Sequence, residues 1–433
     1  METSDQTAGA VTMDGVKASV LRKVDELFDE ETHFLREMVR RPSLRGETNL
    51  VQQYIAKSLR GHGLSVVEEG LDLGKMSTMR GYAPVDWSYE GLVNVIGTAR
   101  AAAPGGRSLI LNGHVDVVPI DPIEHWSVDP WGGDVVGNRL YGRGSCDMKG
   151  GIAAAVYALR AVQSCGLGLK GEVAIETVID EECSGNGTLS AFANGHTADA
   201  AIIPEPFPYM VTASTGVIWC RIRIRGRGAH AQSASSAVNP IEKAYVVIKA
   251  LRELETELNR PEHRHSSFAG VEHPCNVNIG MLHSGTWPSS VPETCMLHVR
   301  IGYQPGIAPV EMQERIRQAV LGGAQRDEWL RNTPPHVEFA GFLAEGWLVD
   351  TESEIFTLVE RNHEQLAGAK PPRQPVTGTA DNRYFGFAGI PHVGYGPYGE
   401  LLHAPDEWVD LESVRLVTRV LATTIIDWVG VIS

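Results

Sequence analysis

Residues 109–119 read LILNGHVDVVP. Leu109, Ile110 and Leu111 and the three valines beyond them form an apolar, mostly unalternated run, the habit of a strand covered on both faces in a parallel sheet. Packing gives such a run no use for His114 or Asp116, so the pair is either a hydrogen-bonded core couple or a site at the strand's end. If the strand persists beyond His114, alternate side chains share one side. The Asp116 carboxylate would then accept a proton from one imidazole nitrogen and free the other as a ligand.

Outward from this strand, helical and strand-like patterns alternate. "SVLRKVDELFDEETHFLREMVRRPSL" repeats apolar residues at three and four spacings until Pro42, and "LVQQYIAKSLRGHGL" does the same with a glycine stop. "GLVNVIGTA" is expected as the neighbouring strand, "GGIAAAVYALRAVQSCG" as a buried helix, and "GEVAIETVIDEE" and "ADAAIIPEP" as further strands. This predicts an α/β fold with a mainly parallel sheet and helices on both faces. At Gly216 the pattern changes: "GVIWCRIRIRGRGAH" alternates apolar and basic residues at period two, followed by a helix, two strands, a helix and a strand. That β-α-β-β-α-β order predicts an inserted α+β domain over 214–343 inside a catalytic domain split into 1–213 and 344–433.

Bulk properties narrow the function classes. With 433 residues, 43% hydrophobic and 21% charged, the chain has ample material for two cores. A formal net charge of −15 argues against nucleic acid or an anionic membrane as partner. The six cysteines are scattered without a Cys-x-x-Cys pair, which fits a reducing cytoplasm. The segment "METSDQTAGAVTMDGVKASVLRK" lacks the pattern of an export signal, and no apolar run approaches a membrane span.

Several acids lie where α/β sheets keep their sites, at or just after strand ends. Asp147 sits in the glycine-rich "YGRGSCDMKGG", Glu181 and Glu182 end "VAIETVIDEE", Glu205 ends "AIIPEP", and His403 follows the last apolar strand in "GELLHAPDEW". Each alone has a plainer reading as a cap, a solvated turn or a surface residue. Together His114, Asp147, Glu182, Glu205 and His403 are oxygen and nitrogen donors suited to a pair of zinc-like ions.

"GHVDVVP", "GRGSCDMKGG", "DEE", "PEP" and "HAPDE", in that order, resemble the zinc-dependent metallopeptidase family of acetylornithine deacetylase, succinyl-diaminopimelate desuccinylase, aminoacylase and carboxypeptidase G. The resemblance implies one metal on His114, Asp147 and Glu205 and another on Asp147, Glu182 and His403, with Asp147 bridging. It implies that Asp116 orients His114, that Glu181 is the general base toward a water between the metals, and that the Asp147–Met148 peptide is cis. It further implies a lid histidine, His230 in "GRGAHAQSASSAVNP", acting on the tetrahedral oxyanion of a partner subunit in a homodimer. Ser289 in "PSSVPE" stands where related deacylases carry a substrate-binding asparagine. Arg383 in "TGTADNRYF" and Arg300 in "HVRIGYQPG" match carboxylate anchors.

The expected function is thus a two-metal amidohydrolase, with zinc first and cobalt or manganese as alternatives. Its small-molecule substrate would carry a carboxylate and an N-acyl or formyl amide. A hydrolytic deaminase using the same metals is the second reading. A non-catalytic dimeric binding protein is the third, opposed by the presence of every ligand and of the base. Trp87 and Trp287 are candidates for stacking on an aromatic substrate, with ordinary packing the plainer role.

Overall fold

The computed structural model describes residues 12–432; residues 1–11, which open the segment read for an export signal, and Ser433 lie outside it. Leu109–His114 is a strand buried at every residue, as its composition requires. It lies in a six-stranded sheet whose order is Ser65–Gly70, Val93–Ala99, Val173–Val178, Leu109–His114, Ala201–Ile203 and His392–Gly394. The last four strands run parallel, and the first two are antiparallel additions at one edge.

Val93–Ala99 is therefore not the neighbour of Leu109–His114 that the sequence suggests. Helix Gly150–Ser164 supplies the crossover that a parallel pair needs, and it lays Val173–Val178 alongside Leu109–His114. Val93–Ala99 then pairs antiparallel on the far side of Val173–Val178.

Alternation along the central strand builds two cores. Leu109 and Leu111 join the main cluster with the helices Met13–Val39, Gly150–Ser164 and Leu411–Val429, whereas Ile110 packs with Met148, Ala201, Ile203 and Phe385. Helix Gly150–Ser164 is apolar almost all round, which suits its place between two other helices.

The segment from Gly216 folds as the expected β-α-β-β-α-β. Its antiparallel sheet runs in the order Val277–Ser284, Thr294–Tyr303, Gly216–Arg225, His336–Ala344. Ile218, Cys220, Ile222 and Ile224 point to one face, where helices Pro240–Leu258 and Pro309–Ala324 complete a separate core. Arg221 and Arg223 point to the other, and Arg221 pairs with Asp86 of the catalytic part. All six cysteines are unpaired. Among the described residues no helix is long and apolar enough to cross a membrane.

Candidate active site

Three parallel strands deliver their C-terminal ends to one edge of the sheet. His114 closes its strand opposite Val178, Asp180 to Glu182 follow two residues later, and Glu205 follows the Ala201–Ile203 strand. Asp147 arrives on the turn Ser145–Lys149, entered through Gly144 at φ 79°. A side chain at Gly144 would meet both an unfavourable backbone angle and the Val117 methyl. The Asp147–Met148 peptide is cis. His403 comes from the loop before the Trp408–Asp410 strand, itself in a left-handed conformation at φ 59°.

The imidazole of His114 is buried, and its Nδ1 lies 2.9 Å from the backbone carbonyl of Asp116. A carbonyl only accepts, so Nδ1 carries a proton, and Nε2 faces Asp147 Oδ1 at 3.2 Å and Glu205 Oε1 at 3.7 Å. The expected contact with the Asp116 carboxylate is not the one made. The strand stops at His114, so alternation does not extend to Asp116, and its carboxylate is 3.8 Å from Nδ1. It accepts instead from the amides of Glu181 at 3.2 Å and Glu182 at 3.1 Å, fixing the turn that carries both acids.

Asp147 faces both histidines: Oδ1 is 3.2 Å from His114 Nε2 and Oδ2 is 3.4 Å from His403 Nε2. His403 Nε2 also lies 3.1 Å from Glu182 Oε1. Donor atoms of His114, Asp147 and Glu205 lie within 4.8 Å of one another, as do those of Asp147, Glu182 and His403. Asp147 belongs to both groups.

Electrostatics test whether this donor set fits divalent cations. Burial pushes Glu181 well above the usual carboxylate range and Glu205 up to about 8. Burial also works against protonated His114, yet Glu205 and Asp147 outweigh it and raise the imidazole well above its ordinary value. The Glu182 charge raises His403 to about 11. Both imidazoles respond to surplus negative charge, and Glu181 keeps one buried oxygen, Oε1, without a partner among the described residues. Carboxylate and imidazole donors in two groups sharing one acid suit a pair of divalent ions.

Arg383 does not stand where a substrate anchor would. It is 0% exposed, and its guanidinium donates to Ala380 O and Ser184 O, each at 3.0 Å, to Tyr384 Oη at 3.1 Å and to Thr379 Oγ1 at 3.2 Å. The helix Asn382–Phe387 turns it inward, where it braces Ser184 at the end of the Glu181–Glu182 turn. Arg300 is half-buried, with a long 3.5 Å bond to Thr377 O and no acidic partner among the described residues.

His230 and Ser289 are exposed neighbours at one tip of the inserted segment: His230 pairs with Ser290, and Ala231 N donates to Ser289 O. Among the described residues the His230 ring bonds none of the donor groups; its Nδ1 accepts from Gln232 N at 3.1 Å. Trp87 is half-buried with Arg45 over its ring, whereas Trp287 is 67% exposed.

Sequence reasoning missed three residues that shape the site. Asp180 is buried, left-handed at φ 66°, and bonded to Tyr89 and Ser184. Asp381 is buried and accepts from Thr188 Oγ1 at 2.6 Å. Glu407 is buried against the Asp147 loop. Each lies inside a quoted motif, Asp180 in "DEE", Asp381 in "TGTADNRYF" and Glu407 in "HAPDE", and that placement was their one visible signal.

The chain is similar to several known proteins. An N-formyl-4-amino-5-aminomethyl-2-methylpyrimidine deformylase of Halalkalibacterium halodurans is 28% identical over 342 residues, 74% of this chain and 79% of that protein. A succinyl-diaminopimelate desuccinylase of Methylocella silvestris is 26% identical over 412 residues, 92% of this chain and 98% of that protein. The fold is similar to human carnosine dipeptidase 1, with a TM-score of 0.74 at 14% identity over 96% of this chain and 99% of that one. Residues 110–427 match the profile of peptidase family M20/M25/M40, and the chain belongs to that family.

Proposed function

We propose that this family member is a two-metal hydrolase that cleaves the amide C–N bond of a small N-acyl or N-formyl compound and releases an amine, with a substrate carboxylate as the handle for recognition. The observation that carries the reading is Asp147, whose two carboxylate oxygens face two different histidines. His114, Asp147 and Glu205 would hold one ion and Asp147, Glu182 and His403 the other, zinc before cobalt or manganese. Bound there, the ions supply Lewis acidity, which makes water a nucleophile near neutral pH and draws electron density from an amide carbonyl.

The chain's own residues do the rest. Glu181, with Oε1 free and Oε2 3.9 Å from His114 Nε2, takes the water's proton as its oxygen bonds to the carbonyl carbon. The same carboxyl returns that proton to the nitrogen as the C–N bond breaks. Asp116 holds the Glu181 and Glu182 amides, so base and ligand keep one relative position. Arg300, without an acid of its own, is the carboxylate anchor, and Ser289 lies on the lid side of the substrate.

In this reading the segment 214–343 is a lid and dimerisation unit. His230 keeps Nε2 free as a donor for the oxyanion and reaches the site of a second copy. The edge strand Val277–Ser284, with Met281 and Leu282 about half exposed, supports pairing between copies. A deformylase and a desuccinylase among the relatives support acyl release from nitrogen as the reaction.

The test is a panel of N-formyl, N-acetyl, N-succinyl and N-carbamoyl amino acids and their primary amides, offered to zinc-, cobalt- and manganese-loaded protein. Free amine is the expected product, formed faster from the acids. Ammonia with the acyl group retained points to a deaminase, and no turnover with two ions bound points to a binding protein.

A further inference from the structure

The His403 side chain is 53% exposed, so packing does not hold it. Its loop is also conformationally unfavourable, with Leu401, His403 and Asp406 all left-handed at φ 62°, 59° and 61°. Such a loop keeps its shape only if it is tied down. Two acids just beyond His403 provide the ties.

Asp406 accepts from Ser127 N at 2.7 Å and Ser127 Oγ at 2.8 Å. Glu407, 1% exposed, does more: Oε1 accepts from Cys146 N at 3.0 Å and Asp147 N at 3.1 Å, and Oε2 from Gly144 N at 3.1 Å and Arg143 Nη1 at 2.6 Å. A plain ion pair with Arg143 would need none of those three amides. They belong to the turn that presents Asp147, and the carboxylate belongs to the loop that presents His403.

We propose that Glu407 is a positioning residue that sets the spacing of Asp147 and His403, and so the affinity for the ion between Asp147, Glu182 and His403; the assignment rests on the two-metal reading. Gln at 407 keeps the size but offers one acceptor and turns an NH2 group toward N–H donors. The loop would loosen while His114, at the end of its strand, and Glu205, just past the end of another, stay in place.

Zinc binding to metal-free protein, followed by equilibrium dialysis beside a thermal unfolding scan, tests this. Wild type should bind two ions, and Glu407→Gln should bind one as tightly as wild type and the other about 10- to 100-fold more weakly. The weakened ion should be the one lost in His403→Ala, not the one lost in Glu205→Ala. A lower unfolding midpoint with both zinc isotherms unchanged would mean that Glu407 only supports the fold, and would overturn the proposal. If Glu407→Gln does not fold, Glu407→Asp decides, because it keeps the charge and shortens the reach to the Gly144, Cys146 and Asp147 amides. A several-fold weaker second ion then supports the proposal, and an unchanged isotherm overturns it. Wild-type protein that binds fewer than two ions would overturn the two-metal reading as well, so the two failures are told apart.

Discussion

Arg383→Met should lower stability and leave substrate selectivity unchanged. Methionine keeps much of the stem's volume and removes a guanidinium that donates to two buried main-chain carbonyls, Ala380 O and Ser184 O. Each orphaned carbonyl costs about 1 to 3 kcal/mol. Asp381, 3.6 Å from Nη2, also loses its counter-charge in the interior. Relief of the cation's own desolvation offsets part of this, so the net loss is about 3 to 5 kcal/mol, the range for breaking a buried pair from one side. The assay is urea unfolding of both proteins, then kcat/KM for an N-acyl amino acid and for its primary amide. The acid-to-amide ratio should stay within about two-fold of wild type, since Arg383 is closed off from solvent. A variant of wild-type stability whose ratio collapses would refute this and make Arg383 the anchor.

The complementary change is Arg300→Ala, which should reduce the acid-to-amide ratio by roughly 30-fold to several thousand-fold with a much smaller effect on unfolding; an unchanged ratio removes Arg300 as anchor. Glu31 is buried in the helical layer, accepts a bond from Thr418 and is pushed up to about 8 by burial. Its folded pKa lies above the unfolded one, so its contribution is intact below about 4.5 and is lost as pH rises toward 8. Glu31→Gln should remove that slope, by at most about 5 kcal/mol, and equal slopes in urea titrations of both proteins would contradict it. Mixed dimers of His230→Ala and Glu181→Gln subunits should regain roughly half the activity of a wild-type dimer, one competent site in two; no gain over either parent means that His230 does not act across subunits.

The parts of the fold and site that were legible are those where local pattern and global place coincide. The unbroken apolar run of Leu109–Leu111 announces a buried strand, and acids placed just after such runs arrive at one sheet edge whatever the strand order. Strand order itself was hidden, because the crossover helix Gly150–Ser164 decides which strand lies beside Leu109–His114, and no residue of Val93–Ala99 records that. Asp116 was assigned to the wrong partner atom because period two holds only while the strand lasts, and it ends at His114. Arg383 shows the limit of reading charge from sequence: a guanidinium aimed at a substrate and one bonded to Ser184 O differ only in three-dimensional placement. Glu407 was invisible for a similar reason, being one of two adjacent acids in "HAPDEW" whose donors lie 260 to 264 residues away along the chain.

The most direct test of the central claim is metal content and turnover measured on one preparation of wild type and one of Glu181→Gln, each equilibrated with excess zinc. Two ions in both proteins, with turnover of the best N-acyl substrate lowered on the order of 100-fold or more in the variant, is the result expected if Asp147 joins two metal positions and Glu181 moves the proton. Zinc-free wild type, or a Glu181→Gln protein that turns over at the wild-type rate, would contradict it.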